Sequence, residues 1–245
     1  MSEHRLTPEQ YLKHVRADAA VVRAAAQLAP DSVVPDLDGW TALTVLEHLG
    51  DVYMHKVEVL RLGHPPDPWP PPGPDPEPFA WFDSALAQLL DELGSRSPGD
   101  PAWTFASFDQ SVGFWHRRMA HESAVHRQDS EGAVGARTPI EDALAVDGVD
   151  EILGLFAAVP TVDTDVTPLT GTIEVRAGGA SWTLDMGPRR LTVTTGPAGR
   201  ADVTLAGSPD AVLWWLWRGI DLGLEITGDA GLLTGVRAHI AAVSG

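Results

Sequence analysis

The stretch that decides the fold runs from Phe114 to Asp129 and reads FWHRRMAHESAVHRQD. Its residues fall on one helical face at intervals of four, three, four and three: Trp115, Met119, Glu122, His126 and Asp129. These intervals are typical of a helix whose face is turned toward the core of a bundle. The face begins apolar and becomes polar halfway along. The sequence therefore predicts a bundle helix that carries a group of polar side chains on its core-facing side.

Glu122 and His126 are one helical turn apart, so their side chains point into the same space. A buried carboxylate beside an imidazole is costly unless something pairs with the two groups. Two interpretations remain open. One is a structural hydrogen bond from His126 to Glu122 or Asp129, and the other is a divalent metal, which helical bundles bind through carboxylates and histidines of facing helices.

His48, on the second predicted helix, is the candidate for a third metal ligand. It lies at the edge of a broad apolar arc, where a lone histidine is commonly a boundary residue. Two histidines and one carboxylate would leave coordination positions open, which marks a catalytic rather than a structural metal. Asp129, one turn beyond His126, would then orient the imidazole of that ligand.

The first 160 residues have a helical pattern, with capping boxes that begin at Thr7 and Thr138. Helices are predicted from Thr7 to about Leu28, at 41–62, 79–93 and 111–131, and from Thr138 to about Val159. Residues 64–78 contain nine prolines and predict a stiff crossover.

After Pro160, short β-rich runs alternate with glycine turns, followed by a helix, a strand and a last helix. The predicted fold class is α+β in two domains, a four-helix bundle over residues 1–160 and a small α/β sandwich domain over 161–245.

The net charge and the cysteine content of the chain exclude several classes of function. The 245-residue chain has a formal net charge of −17 and no cysteine. Such an acidic chain repels phosphate backbones, so nucleic acid and anionic membranes are excluded as partners. No apolar signal segment or membrane-length stretch is present, and we expect a cytoplasmic protein. Any sulfur chemistry must be supplied by another molecule.

The Phe114–Asp129 stretch resembles the signature helix of the mycothiol-dependent maleylpyruvate isomerase family, whose fold begins with a DinB-like four-helix bundle. Trp40-Thr41 ahead of Glu47-His48-Leu49-Gly50 is similar to the family's first metal motif, and residues 145–151 fit the helix that follows. Residues 201–208, 216–218 and 226–229 look like its small carboxy-terminal domain, which is related to sterol-carrier-like folds.

The resemblance implies a divalent metal, zinc above all, held by His48, Glu122 and His126, with mycothiol as the thiol cosubstrate. The thiolate would add to the cis double bond of an anionic keto-dicarboxylate, and rotation and expulsion of the thiol would give the trans product. Asp129 and Arg218 are the catalytic candidates. Arg218 departs from the family pattern, because members commonly show glycine and then arginine after the tryptophan, and here the order is Trp217-Arg218-Gly219.

Two other functions remain open on the sequence: a binding or regulatory module with a vestigial site, and a metal-dependent hydrolase whose nucleophile is water. Arg117, Arg118 and Arg127 flank the polar face and could neutralise an anionic substrate, although salt bridges within the bundle are the simpler interpretation. His121 is a further candidate for a supporting role. The tryptophans at 214, 215 and 217 fit core packing better than ligand stacking.

Overall fold

The computed structural model describes residues 4–35, 37–70, 77–158, 170–187 and 191–244. The chain divides into two compact units, one formed by Leu6–Pro139 and the other chiefly by Ile140–Gly245. The domain boundary predicted near residue 160 lies outside the described residues. The contacts divide the chain earlier, because the helix after Pro139 packs with the carboxy-terminal residues.

In the described part of the first unit the chain forms four helices, as the sequence predicts: α1 (Pro8–Leu28), α2 (Ala42–Leu62), α3 (Pro78–Ser95) and α4 (Val112–Ala133). Side-chain caps fix where all four begin, with the Glu77 carboxylate accepting from the Phe79 and Ala80 amides at the start of α3. Thr7 forms a capping box with Gln10 at the start of α1, Thr41 accepts a hydrogen bond from the Thr44 amide, and Ser111 accepts one from the Phe114 amide. Part of the proline-rich segment, residues 71–76, lies outside the described residues.

Within this unit α1 packs along α4, α2 packs along α3, and α2 also contacts α4. The Tyr53 hydroxyl of α2 lies 2.6 Å from Ser123 Oγ of α4, and Ser123 in turn donates to the Met119 carbonyl. These side chains are fully buried, so the hydrogen bonds fix the position of α2 against α4. The site described below lies across this same pair of helices.

Helix α4 is buried on almost every side. Of its 22 residues, 18 are buried, including three arginines and three histidines. Buried ionisable groups are costly unless they have partners. The density of charge on α4 therefore requires a matching set of hydrogen bonds and ion pairs from the helix itself and its neighbours.

The second unit begins with α5 (Asp142–Ala158), and its sheet and helices follow in the order β1 (Gly171–Ala177), β2 (Ala180–Met186), β3 (Leu191–Thr195), β4 (Val203–Gly207), α6 (Pro209–Arg218), β5 (Glu225–Gly228) and α7 (Ala230–Ser244). The strands form one sheet in the order β3-β2-β1-β4-β5, in which only β1 and β4 run parallel. This arrangement matches the predicted α+β domain.

The capping box predicted at Thr138 is wrong, since α5 begins only at Asp142. Thr138 serves α4 instead. Its amide donates to Glu131 Oε2 at 2.9 Å, its hydroxyl donates to Glu131 Oε1 at 2.8 Å, and the Arg127 guanidinium also reaches it. Because these two charged side chains of α4 bind Thr138, the threonine does not cap a helix, and no helix forms before Asp142.

Among the described residues, no helix has both the length and the apolar character that crossing a membrane requires.

Candidate metal centre

Three ligand-type side chains converge where α2 faces α4. His48 comes from the second turn of α2, and Glu122 and His126 come from successive turns of α4. Each offers one nitrogen or oxygen atom, and these atoms lie within 4.8 Å of one another. Glu122 Oε1 is 3.3 Å from His126 Nε2 and 3.8 Å from His48 Nε2. The structure thus brings together the three residues that the sequence predicts as metal ligands.

Glu122 is oriented from behind by Arg118, one turn earlier on α4, whose guanidinium donates to Oε2. Oε1 therefore faces the two imidazoles. Burial alone would raise the pKa of Glu122. The charge of Arg118 and the nearby imidazoles of His126 and His48 outweigh burial and hold this pKa well below its usual range. The carboxylate is therefore ionised at neutral pH, which is the form that binds a metal.

His126 is oriented by Asp129. Its Nδ1 lies 3.0 Å from Asp129 Oδ2, and the Asp129 side chain is fully buried. Nε2 is thereby directed at Glu122. Burial disfavours the charged imidazole, but the hydrogen bonds with Asp129 and Glu122 prevail and raise the pKa of His126 to about 9. Without a metal, the cluster accordingly retains a proton on His126 at neutral pH.

Trp40 covers both imidazoles. Its ring stacks parallel to that of His126, with the centroids 6.2 Å apart, and meets His48 edge-on at 5.0 Å. Sequence reasoning missed this contact, because Trp40 precedes the helix cap at Thr41 and helical periodicity does not fix its direction. The indole thus packs against the imidazoles of both helices.

The donor set fits a divalent metal. Ligand atoms about 2.0–2.2 Å from a shared tetrahedral ion lie roughly 3.4 Å from each other, close to the 3.3 and 3.8 Å separations found at Glu122. Three protein ligands leave room for a further one, as in catalytic zinc sites. A carboxylate that holds the second nitrogen of a ligand histidine, as Asp129 does, is a regular feature of such sites.

Other sequence candidates lie apart from this cluster. The His121 ring meets Tyr11 of α1 edge-on, with centroids 6.4 Å apart. Arg127 pairs with Asp18 of α1 at 2.9 Å and with Glu131 at 2.6 Å, so it joins two helices of the bundle. The simpler interpretation, a salt bridge within the bundle, applies to Arg127. Arg118 contacts Glu122 and so belongs to the cluster.

Arg218 is the last residue of α6 in the second unit, with its guanidinium 5.7 Å from the centre of the Trp214 ring. Arg237 of α7, which sequence reasoning passed over, donates to the Leu216 carbonyl near the end of α6. Burial lowers the pKa of Arg237, and the charge of Arg218 lowers it further. The catalytic roles of Arg218 and Asp129 stay predictions.

Sequence reasoning also missed Lys56, on the same helix as His48. Its ammonium nitrogen lies 2.9 Å from Nδ1 of His55 and 5.2 Å from the centre of the Trp115 ring of α4. His55 itself meets Trp69 edge-on, with centroids 5.1 Å apart. Burial, and secondarily the charge of Lys56, lower the pKa of His55 to about 4, so its imidazole is neutral and accepts the hydrogen bond.

The helical unit and its cluster define a class of bundle proteins with a two-histidine, one-carboxylate site. Residues 11–131 match the sequence model of the mycothiol maleylpyruvate isomerase N-terminal domain. The helical unit thus contains a domain of the mycothiol maleylpyruvate isomerase type, and the resemblance stated from the sequence is confirmed.

Two solved structures are similar over most of the chain. A crystal structure of the mycothiol-dependent maleylpyruvate isomerase covers 93% of this chain and 96% of that chain, with a TM-score of 0.63 and 13% identity. A variant of such an isomerase, in which a histidine is replaced by alanine, covers 88% and 91%, with a TM-score of 0.58 and 13% identity.

A comparison with curated protein sequences finds no match. At 13% identity the structural likeness concerns the fold, and it confirms the predicted fold class. The sterol-carrier-like character of the second unit stays a prediction.

Proposed function

We propose that this chain is a divalent-metal-dependent enzyme of maleylpyruvate-isomerase or thiol-transferase type, with mycothiol as its thiol cosubstrate. The observation that carries the proposal is the convergence of His48, Glu122 and His126 within 4.8 Å, in a domain of the isomerase family. These three residues would hold the metal, with zinc as our choice. When bound, the metal would lower the pKa of a thiol and keep the sulfur beside the electrophile.

The protein's own side chains prepare the cluster for that task. Asp129 occupies Nδ1 of His126 and leaves Nε2 to face Glu122. Arg118 holds Oε2 of Glu122 and leaves Oε1 toward the imidazoles. Because these orientations exist before a ligand arrives, little reorganisation is needed at the moment of reaction.

In the isomerase reaction, a C–S bond forms as the thiolate adds to the cis double bond, and the π electrons move toward the neighbouring carbonyl. Rotation about the new single bond follows. The electrons then return, the C–S bond breaks, and the trans alkene and the thiolate are released. No sulfur of the protein takes part, which agrees with the absence of cysteine from the chain.

Metal content tests the first half of the proposal. We expect protein purified without chelator to carry about one zinc or another divalent ion per chain, and the double variant His48→Ala, Glu122→Ala to carry almost none. His64→Ala, which removes an exposed histidine, serves as the control and should retain the metal. Unchanged metal in the double variant would refute the site.

Turnover tests the second half. With mycothiol and a cis keto-dicarboxylate, we expect the loaded protein to form the trans isomer or a thiol adduct, and to do so only when thiol is present. Activity that is indifferent to thiol would instead indicate a hydrolase that uses water. Binding of mycothiol without conversion of any electrophile would indicate a binding module.

A further inference from the structure

Lys56 is a half-buried ammonium group that lacks a carboxylate partner. Its nitrogen contacts His55 Nδ1 and the face of Trp115, and within the described part of the chain no aspartate or glutamate forms an ion pair with it. An ammonium has three donors. A neutral imidazole and an aromatic face satisfy the group only in part, and a partly buried cation without a counter-ion is costly.

The position of Lys56 relates it to the metal centre. It follows His48 by eight residues on α2, and Trp115 precedes Glu122 by seven residues on α4. At 1.5 Å per residue, these intervals are about 10 to 12 Å along the helices. Helical side chains lean toward the amino-terminal end of their helix, so the side chain of Lys56 leans back toward His48.

The charges of the two sites interact. Burial lowers the pKa of Lys56 to about 8, the negative charge of Glu122 opposes this decrease, and the positive charge of Arg118 adds to it. Arg118 itself is occupied by Glu122. Lys56, which is partly exposed, therefore offers a cation to a ligand. Only one other lysine, Lys13, is present in the whole chain.

We propose that Lys56 binds a carboxylate of the anionic electrophile, while the reacting carbon lies at the His48–Glu122–His126 cluster. The inference rests on the proposed function, because that function supplies an acceptor that carries carboxylates. A bound carboxylate would take the free donor of Lys56 and provide the missing counter-ion. It would also give an acidic protein a local means of attracting an anion despite its net charge of −17.

Direct binding tests the proposal without turnover. The probe is maleate, a cis dicarboxylate, titrated calorimetrically into the full-length, metal-free protein at low salt. We expect Lys56→Met to weaken maleate binding at least about tenfold, the loss expected from one charge-assisted hydrogen bond, and Lys56→Arg to restore most of the affinity. Lys13→Met, which removes an exposed lysine, should bind as the wild type does.

Two results would overturn the proposal: equal maleate affinity of Lys56→Met and wild type, or no measurable binding of maleate by the wild type. Circular dichroism and thermal unfolding of each variant confirm that it is folded. Lys56→Arg provides a second check, because it keeps the charge where methionine removes it.

Kinetics separate this inference from the proposed function. If the chain isomerises a keto-dicarboxylate, Lys56→Met should raise KM for the electrophile at least about tenfold and leave KM for mycothiol unchanged. Lys56-dependent maleate binding in a protein that has no thiol-dependent turnover would refute the proposed function alone. Turnover with an unaltered KM in Lys56→Met would refute the role of Lys56 alone.

Discussion

At the scale of single residues, the geometry of the cluster depends on the side chains that hydrogen-bond to its members. His126 lies between two carboxylates, Glu122 at Nε2 and Asp129 at Nδ1. The carboxylate behind a ligand histidine fixes the orientation of the ring and makes it a better donor, and losing it typically costs 10-fold to 100-fold in metal affinity. We therefore expect Asp129 to affect metal affinity although it is not itself one of the three clustered residues.

The first prediction concerns this residue. Asp129→Asn should weaken zinc binding about 10-fold to 100-fold, because the amide that replaces the carboxylate has no negative charge to stabilise the ligand imidazole. Competition with a chromophoric chelator measures the affinity. Asp91→Asn on α3, where the side chain is exposed, is the matched control. Equal affinities in the two variants would contradict the prediction.

Asp18 provides a second prediction at this scale. It is 8% exposed and pairs with Arg127 through Oδ1 at 2.9 Å, while Oδ2 lacks a hydrogen-bond partner among the described residues. Burial raises the pKa of Asp18 from 3.8 to about 6, although the charge of Arg127 opposes this increase. The folded state thus binds this proton more tightly than the unfolded state does.

The stability that this proton contributes is fully present below the unfolded pKa and is lost as pH rises through about 6. Asp18→Asn has no such proton. The free energy of unfolding of the wild type, relative to the variant, should therefore fall by up to about 3 kcal/mol between pH 4 and pH 7. Urea unfolding of the helical unit at several pH values measures the difference, and a difference that does not change with pH would exclude the effect.

At the scale of elements, the position of α2 depends on its packing against both α3 and α4. Gly50, two residues after His48, makes this possible on the α3 side. A Cβ at this position would lie 3.1 Å from Cδ1 of Trp81 and 3.4 Å from the backbone of Phe82. Trp81 also donates from its indole nitrogen to Asp51 at 2.8 Å, which holds the ring against α2.

We therefore predict opposite outcomes for two helical glycines of the same unit. Gly94→Ala in α3 meets only a side-chain atom at 3.9 Å and should gain roughly 0.5 kcal/mol or more from helix propensity. Gly50→Ala should lose stability, because the methyl group displaces Trp81 and with it α3. Chemical unfolding of the two variants compares them. A gain of stability in Gly50→Ala would contradict the close approach.

The elements themselves were predictable because their signals are local. Caps at Thr7 and Thr41 and the spacing of apolar residues placed the four bundle helices within a few residues. The failure at Thr138 has a tertiary cause. Its amide donates to Glu131 and its hydroxyl accepts from Arg127. The local sequence does not reveal these hydrogen bonds to side chains of α4.

The site was predictable to the same degree. His48, Glu122 and His126 follow from helical spacing together with the family motif. Trp40 and Lys56 do not, because one lies outside the helix and the other gains its meaning only from Trp115 on a facing helix.

At the scale of the whole molecule, two compact units with separate cores should respond differently to a ligand of only one of them. The three candidate metal ligands, His48, Glu122 and His126, all belong to the unit Leu6–Pro139. Binding to the folded state alone stabilises it by an amount that grows with the ratio of free ligand to Kd, about 2.7 kcal/mol at a hundredfold excess over Kd.

We therefore expect zinc to raise the unfolding temperature of the helical unit, a chelator to reverse this increase, and the transition of the sheet-containing unit to move less. Calorimetry in the presence of zinc or chelator measures both transitions. In the double variant His48→Ala, Glu122→Ala, zinc should not change the unfolding temperature of the helical unit. A shift as large as that of the wild type would show that the metal binds elsewhere.

The burial of α4 also constrains how relatives of this protein can diverge. With 18 of its 22 residues buried, α4 has few positions where a substitution alters chemistry without disturbing packing. Its sequence is therefore under two selective pressures at once and should drift slowly. New substrate preferences would be acquired on α2, where Lys56 is partly exposed. Changes of substrate should therefore be sought by comparing α2 among relatives.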